Sequence, residues 1–310
     1  MKPASPIQTL KHQLFSEKKL QVFIKRDDLI DPIISGNKWR KIKQNLHLAR
    51  KNNKGILSFG GSYSNHIHAL AFACHQHNIP SIGIIRGEQA YQSNYTLSWA
   101  RHWQMQLQFV DRATYRLRHN DAYLKKLSEQ YPDYMVVPEG GSNTLALDGV
   151  GDVISELRHQ QSFDTLIVPV GSGGTLAGLV KADENQHKLI GICVLKGGNY
   201  LQGDIEKLAG KQYDNWRLMH DFHLGGYAKF SAQAYQQMCH FAATLNIPFE
   251  PVYSGKMLLA LKQLVEQDYF PAGHKIMLIH TGGLQGLGGM LERGIITKAP
   301  IQLPDKPNFS

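Results

Sequence analysis

An α/β fold of two three-layer domains with largely parallel sheets is what this sequence predicts, on three observations. Short apolar runs alternate with stretches of helical periodicity through most of the chain, and strands separated by helices pair in parallel, with helices covering both faces. Several of those runs end in glycine-rich turns that lead into helices, the loops in which such sheets bind ligands. Finally, 310 residues exceed the ~250–300 at which a single core stops growing, so two lobes are expected.

In chain order, the strand candidates are Val22–Ile24, Gly55–Ser58, Ser81–Ile85, Leu107–Val110, Met135–Val137, Thr165–Val170, Leu189–Val194 and Lys275–Ile279. Each is a short apolar run bounded by turn residues. Helical patterns lie between them at Trp39–Arg50, Asn65–His77, Ala122–Glu129, Ala232–Leu245 and Lys256–Gln267. In the fourth, Tyr235, Met238, Cys239 and Ala242 recur at i, i+3, i+4 and i+7, which predicts a buried stripe. Trp99 and Trp103, four apart, read as core.

Composition narrows the function. Hydrophobic residues make up 42% and charged residues 19%, as in ordinary globular proteins. No run approaches the ~18–20 apolar residues of a membrane span. The opening MKPASPIQTLKHQLF lacks an apolar core ahead of a cleavage site, so a secretory signal is not expected. Cys74, Cys193 and Cys239 are far apart and match no CxxC pattern, which argues against a disulfide framework or zinc site and for a reducing cytosol. The fifteen histidines form no HExxH or other metal spacing. A net charge of +9 raises nucleic acid binding as a question. The basic residues are spread out, however, and the densest group (Lys38, Arg40, Lys41, Lys43) alternates with Trp39, Ile42 and Leu46 as on one amphipathic helix. No nucleic acid and no membrane partner is expected.

Three glycine loops share one grammar. The run TLIVPV enters Gly171-Ser172-Gly173-Gly174-Thr175 and then a helix, LSF enters Gly60-Gly61-Ser62-Tyr63-Ser64-Asn65, and IMLIH enters Thr281-Gly282-Gly283. Glycines let a backbone turn tightly around an anion, and successive N–H groups with a helix N-terminus bind phosphate. Ser172 and Thr175 can add hydroxyl donors. The spacing departs from G-x-G-x-x-G, the next strand ends at Lys196 and not at an acid, and no Gly-Lys-Ser/Thr follows. Phosphate binding survives this test, whereas a dinucleotide and a P-loop do not.

The most informative stretch is IKRDDLIDPIISGNKWRKIKQNL, where Lys38 opens a helix. The positive end of the helix dipole is expected to lower its pKa and favour an amine nucleophile or base. The order K-R-D-D-L, S-G-N-K-x-R-K, G-G-x-x-S-N-H resembles the 1-aminocyclopropane-1-carboxylate (ACC) deaminase and D-cysteine desulfhydrase family. The resemblance continues through PEGGSNTLALDGV, VGSGGTLAGL, PVYSGKMLLAL and IHTGGLQG, across nearly the whole chain. It implies a pyridoxal 5'-phosphate (PLP) enzyme of fold type II and a homodimer. It implies a small domain at 44–147 inserted into a large one made of 1–43 and 148–310. Lys38 would carry the cofactor as an imine, Asn65 would bond its ring hydroxyl, and Ser64, Asn65 and His66 would bind the substrate carboxylate. Gly171, Ser172, Gly173, Gly174 and Thr175 would cradle the phosphate with Lys41 as a cationic neighbour, and Thr281 would also contact the cofactor. Tyr227 and Tyr253 would be the active-site tyrosines.

Two departures from the family pattern shape the expected reaction. The family's Y-G-x-P-N reads Tyr227-Ala228-Lys229-Phe230-Ser231 here, so the helix-capping Asn is missing. The Glu that follows the second tyrosine in ACC deaminases, facing the pyridine nitrogen, is replaced by Ser254. A hydroxyl leaves the ring a weaker electron sink than a carboxylate does, which favours expelling a good leaving group over opening a cyclopropane. D-cysteine desulfhydrase-like β-elimination to pyruvate, ammonia and sulfide is therefore expected first, and deamination of ACC or another small amino acid second. A non-catalytic binder of phosphorylated small molecules would explain the glycine loops but not the context of Lys38 and Tyr253.

Overall fold

The computed structural model describes residues 4–307. They contain ten strands: β1 (Ile7–Leu10), β2 (Gln21–Lys25), β3 (Gly55–Gly61), β4 (Ser81–Arg86), β5 (Gln106–Val110), β6 (Tyr134–Val137), β7 (Thr165–Val170), β8 (Lys188–Cys193), β9 (Trp216–Met219) and β10 (Lys275–Ile279). The chain falls into two compact units. One runs up to Asn37 and resumes over Val150–Leu284; the other holds Lys38–Gly149 and the segment from Gln285 onward. The family resemblance implies one large domain that includes all of 148–310. Residues from 285 on group instead with 38–149, because Tyr95 is bonded through its N–H to Glu292 (2.8 Å) and through its hydroxyl to the carbonyl of Pro304 (2.9 Å).

The first unit contains a six-stranded sheet in the order β1-β2-β10-β7-β8-β9. Only β1 is antiparallel; the other pairs are parallel. All six residues of β7 are buried, as a strand covered on both faces must be. Pro169 is tolerated there because β10 pairs only with Thr165, Leu166 and Ile167, so the missing N–H lies beyond that ladder. Ile24, Ile167, Ile190 and Leu278 from the strands meet Phe241, Leu258 and Leu261 from helices in one apolar cluster. The second unit contains a parallel sheet in the order β5-β4-β3-β6, with Leu57, Phe59, Ile82 and Ile84 packed on Tyr115 and Leu127.

Every strand expected from the sequence is present, but β1 and β9 were missed. Both are four-residue edge strands, partly exposed along their length, so neither has the unbroken apolar run that marks a central strand. The helix Ala232–Leu245 has the expected bounds but not the expected stripe. Its buried residues are Ala234, Met238, Phe241, Ala242 and Leu245, while Cys239 is exposed. The apolar face is therefore centred on the 234–238–241–245 row. All three cysteines are free thiols. Among the described residues no helix is long and apolar enough to cross a membrane, and no cluster of three potential metal ligands occurs.

Candidate active site

In the first unit, β7 runs into the turn Gly171–Thr175 and the helix Gly174–Asp183. Gly173, at φ +78°, is the N-cap, and no side chain caps the helix. The opening N–H groups thus keep their capacity for an external acceptor at the positive end of the dipole. Gly171 is required because a Cβ there would lie 2.9 Å from the Tyr253 ring. Thr175 is buried and accepts a hydrogen bond from the Asn37 amide at 2.8 Å, while Ser172 is exposed. Thr281 is buried, and its carbonyl receives the Asn37 N–H at 3.3 Å. That approach needs Gly36, whose Cβ would sit 1.9 Å from the same carbonyl oxygen. Asn37 is therefore pinned to two of the three glycine loops. Its successor Lys38 starts one peptide away, a Cα step of ~3.8 Å.

Tyr253, Ser254 and Tyr227 also gather in this unit. The Tyr253 hydroxyl donates to that of Tyr227 at 3.4 Å, with the rings edge-on at 5.9 Å. The missing family asparagine does not disturb this pairing, because Ser231 caps the following helix in its place and accepts from Ala234 N at 3.1 Å. Ser254 is fully buried, and its hydroxyl oxygen has no hydrogen-bond partner among the described residues. Four residues earlier, the buried Glu250 carboxylate accepts from the N–H groups of Val252 (2.7 Å), Tyr253 (3.0 Å) and Ser254 (2.7 Å). Burial pushes Glu250 up to about 7, against the pull of those N–H groups and a weaker one from the nearby Ser254 hydroxyl. Lys256 is likewise buried and donates to the carbonyls of His223 (2.7 Å) and Gly226 (2.6 Å). Sequence reasoning missed Glu250 and Lys256; the only signal was an acid placed just ahead of a helix start.

In the second unit, Lys38 lies half-buried in the first turn of the helix Asn37–Lys51. Lys41 is buried, and its ammonium donates to the carbonyl of Gly140 (3.2 Å) and to Ser142 Oγ (2.9 Å). Burial first and the Lys38 charge second hold Lys41 well below the usual lysine range. His66 is pushed down to about 3, by burial and then by Lys38 and Lys41, so its ring is neutral. Its Nε2 meets Ser58 Oγ at 2.8 Å, and that hydroxyl donates to the Val137 carbonyl at 2.8 Å. With its one proton spent, Ser58 must accept from Nε2–H, which leaves His66 Nδ1 a bare acceptor. Nδ1 is buried without a partner among the described residues. Ser64 caps the helix Asn65–Gln76 through Ile67 N at 3.3 Å. Beside Asn65 lies Gly286, whose Cβ would come 3.1 Å from the amide oxygen. Lys38, Lys41 and His66 thus share one neighbourhood, while Ser64 is occupied as a cap.

Comparison with known proteins agrees with this chemistry. The family model for "Pyridoxal-phosphate dependent enzyme" matches residues 4–282. A Thermotoga maritima protein bearing the provisional name 1-aminocyclopropane-1-carboxylate deaminase is 28% identical, over 93% of this chain and 96% of its own. The Arabidopsis thaliana mitochondrial "Bifunctional D-cysteine desulfhydrase/1-aminocyclopropane-1-carboxylate deaminase" is also 28% identical, over 86% of this chain and 73% of its own. Among solved structures, an ACC deaminase homologue superposes with a TM-score of 0.81 at 25% identity, covering 94% of this chain and 93% of that one. A glycine cradle, a lysine beside a neutral histidine and a match over nine-tenths of the chain lead to one conclusion: the protein belongs to the pyridoxal-phosphate dependent enzyme family.

Proposed function

We propose that the protein is a lyase that releases ammonia and a β-substituent from a small D-amino acid, with D-cysteine giving pyruvate, ammonia and sulfide. The observation that carries this reading is Ser254, a fully buried neutral hydroxyl at the start of the helix Ser254–Glu266. It sits where the resemblance puts the partner of the pyridine nitrogen. The rest of the cofactor's needs are also met: the uncapped helix start at Gly173 suits a phosphate, and Asn37, bonded to Thr175, leads directly into Lys38. Bound PLP supplies an electron sink for negative charge developing at the substrate Cα.

The chain's own residues do the remainder. Gly171, Ser172, Gly173, Gly174 and Thr175 hold the phosphate, with Thr281 on the adjoining loop. Lys38 would hold the cofactor covalently and, as a free amine, would take the Cα proton. Asn65 orients the ring hydroxyl. Ser64, Asn65 and His66 receive the substrate carboxylate through the backbone N–H groups that open the helix Asn65–Gln76, since Ser64 Oγ and His66 Nδ1 are both acceptors there. Tyr253 and Tyr227 orient the leaving group or give it a proton. Lys41, engaged with Gly140 and Ser142, acts on the site through its charge and by fixing that loop. A neutral serine at the ring nitrogen makes a weaker sink than a carboxylate, which suits hydrosulfide departure. The homodimer that the resemblance implies and a cytosolic setting compatible with three free thiols complete the reading.

Deamination of ACC is the second reading, favoured by the names of the Thermotoga and Arabidopsis relatives. Purified protein is expected to be yellow, and borohydride is expected to fix the cofactor's mass on the Lys38 peptide; Lys38→Ala loses both. Sulfide and pyruvate are then measured from D-cysteine, L-cysteine and ACC. Colourless protein that PLP cannot reconstitute ends the lyase reading, and turnover of ACC alone ends the argument from Ser254.

A further inference from the structure

The segment 223–229 makes two successive turns. Gly226 N donates to the His223 carbonyl at 3.0 Å, and Lys229 N donates to the Gly226 carbonyl at 3.1 Å. Tyr227 is the second residue of the second turn. The backbone around it is held in the left-handed region at Leu224 (φ +52°), Gly225 (+96°), Gly226 (+120°) and Ala228 (+54°). Leucine and alanine do not adopt that conformation unless their surroundings enforce it. One group touches both turns. The Lys256 ammonium donates to the very two carbonyls that close them, His223 at 2.7 Å and Gly226 at 2.6 Å.

Lys256 is an expensive residue to keep there. Its side chain is fully buried in the first turn of the helix Ser254–Glu266, at the positive end of the helix dipole. Burial lowers it to about 8, partly opposed by the Glu250 carboxylate. The same four-residue stretch that carries Tyr253 and Ser254 therefore also grips the backbone before Tyr227, which is itself 48% exposed.

We propose that Lys256 is a positioning residue: by clamping the carbonyls of His223 and Gly226 it fixes the strained double turn and sets the Tyr227 hydroxyl against that of Tyr253. The inference rests on the lyase reading only in taking Tyr227 to act on the leaving group.

Fluorine-19 spectra of holoenzyme carrying 3-fluorotyrosine test the geometry without reference to turnover. The Tyr227 resonance, assigned by its loss in Tyr227→Phe, is expected to shift or broaden in Lys256→Met while that of Tyr115 stays. An unmoved Tyr227 resonance overturns the proposal. In turnover, Tyr227→Phe is expected to lower kcat about tenfold with KM little changed, Lys256→Met to match it within about threefold, and the double variant to fall no further. Losses that multiply, or full activity in either single variant, overturn the proposal too. Should Lys256→Met not fold, Lys256→Gln, which keeps a donor, is expected to give an intermediate resonance and kcat; wild-type values for both overturn the clamp. Absence of the cofactor mass on Lys38 sinks the lyase reading alone and leaves the fluorine spectra to decide on Lys256.

Discussion

Glu250 is a carboxylate placed where it must pay for burial with hydrogen bonds, and it finds them in the N–H groups of residues 252–254. Its pKa stands near 7 against 4.5 for an exposed glutamate. The folded protein therefore keeps a proton that the unfolded chain has already released. Stability falls as pH rises from about 4.5 to 7 and then levels off, by on the order of 3 kcal/mol at ~1.4 kcal/mol per pH unit. Glu250→Gln has no proton to lose, so its stability relative to wild type is expected to climb across that window. Urea unfolding at pH 5 and pH 7.5 measures this, and parallel behaviour of the two proteins refutes it. Neither Glu250 nor Lys256 was legible in the sequence, where an acid and a lysine are read as surface residues. Lys38, by contrast, stands out in the sequence as a candidate through its motif. What the motif could not reveal is the pairing around it, including a His66 forced neutral by burial and by two lysine charges.

Among the elements, the helices that the sequence reading overlooked are instructive. Thr144–Gln160 is seventeen residues long, yet its interior Gly149 and Gly151 read as breakers. Gly149 is there for contact, since a Cβ would lie 2.0 Å from the carbonyl oxygen of Arg40. Gly203, inside the helix Leu201–Ala209, has nothing within 4 Å of the equivalent point. Helix propensity alone favours alanine at both by about 1 kcal/mol. Gly203→Ala is expected to stabilise by about 0.5–1 kcal/mol, whereas Gly149→Ala is expected to destabilise by about 2 kcal/mol through backbone overlap. Denaturant midpoints decide it, and a gain at residue 149 would show that the approach is not real. The same contrast explains the glycine loops. Their sequence grammar suggests an anion site, but that Gly171 makes room for Tyr253 and Gly36 for the Thr281 carbonyl emerges only from the packing.

For the whole molecule, a cofactor that binds the folded chain alone must raise its thermal stability. At a hundredfold excess over Kd the gain is about 2.7 kcal/mol, or roughly 4 °C in Tm for a chain of this size. Melting with and without PLP measures it. The rise is expected to shrink in Lys38→Ala, which keeps the phosphate cradle but loses the covalent bond, and no rise in wild type would contradict PLP binding. The sequence by itself determined the α/β class and the central strands, because buried parallel strands are continuous apolar runs, and the cofactor followed from the order of motifs that the chain shares with a known family. Only the tertiary structure decided which charged side chains are buried, where the segment after 284 belongs and which edge strands complete the first sheet. Each of these depends on contacts between residues far apart in the chain, and local periodicity carries no record of such contacts.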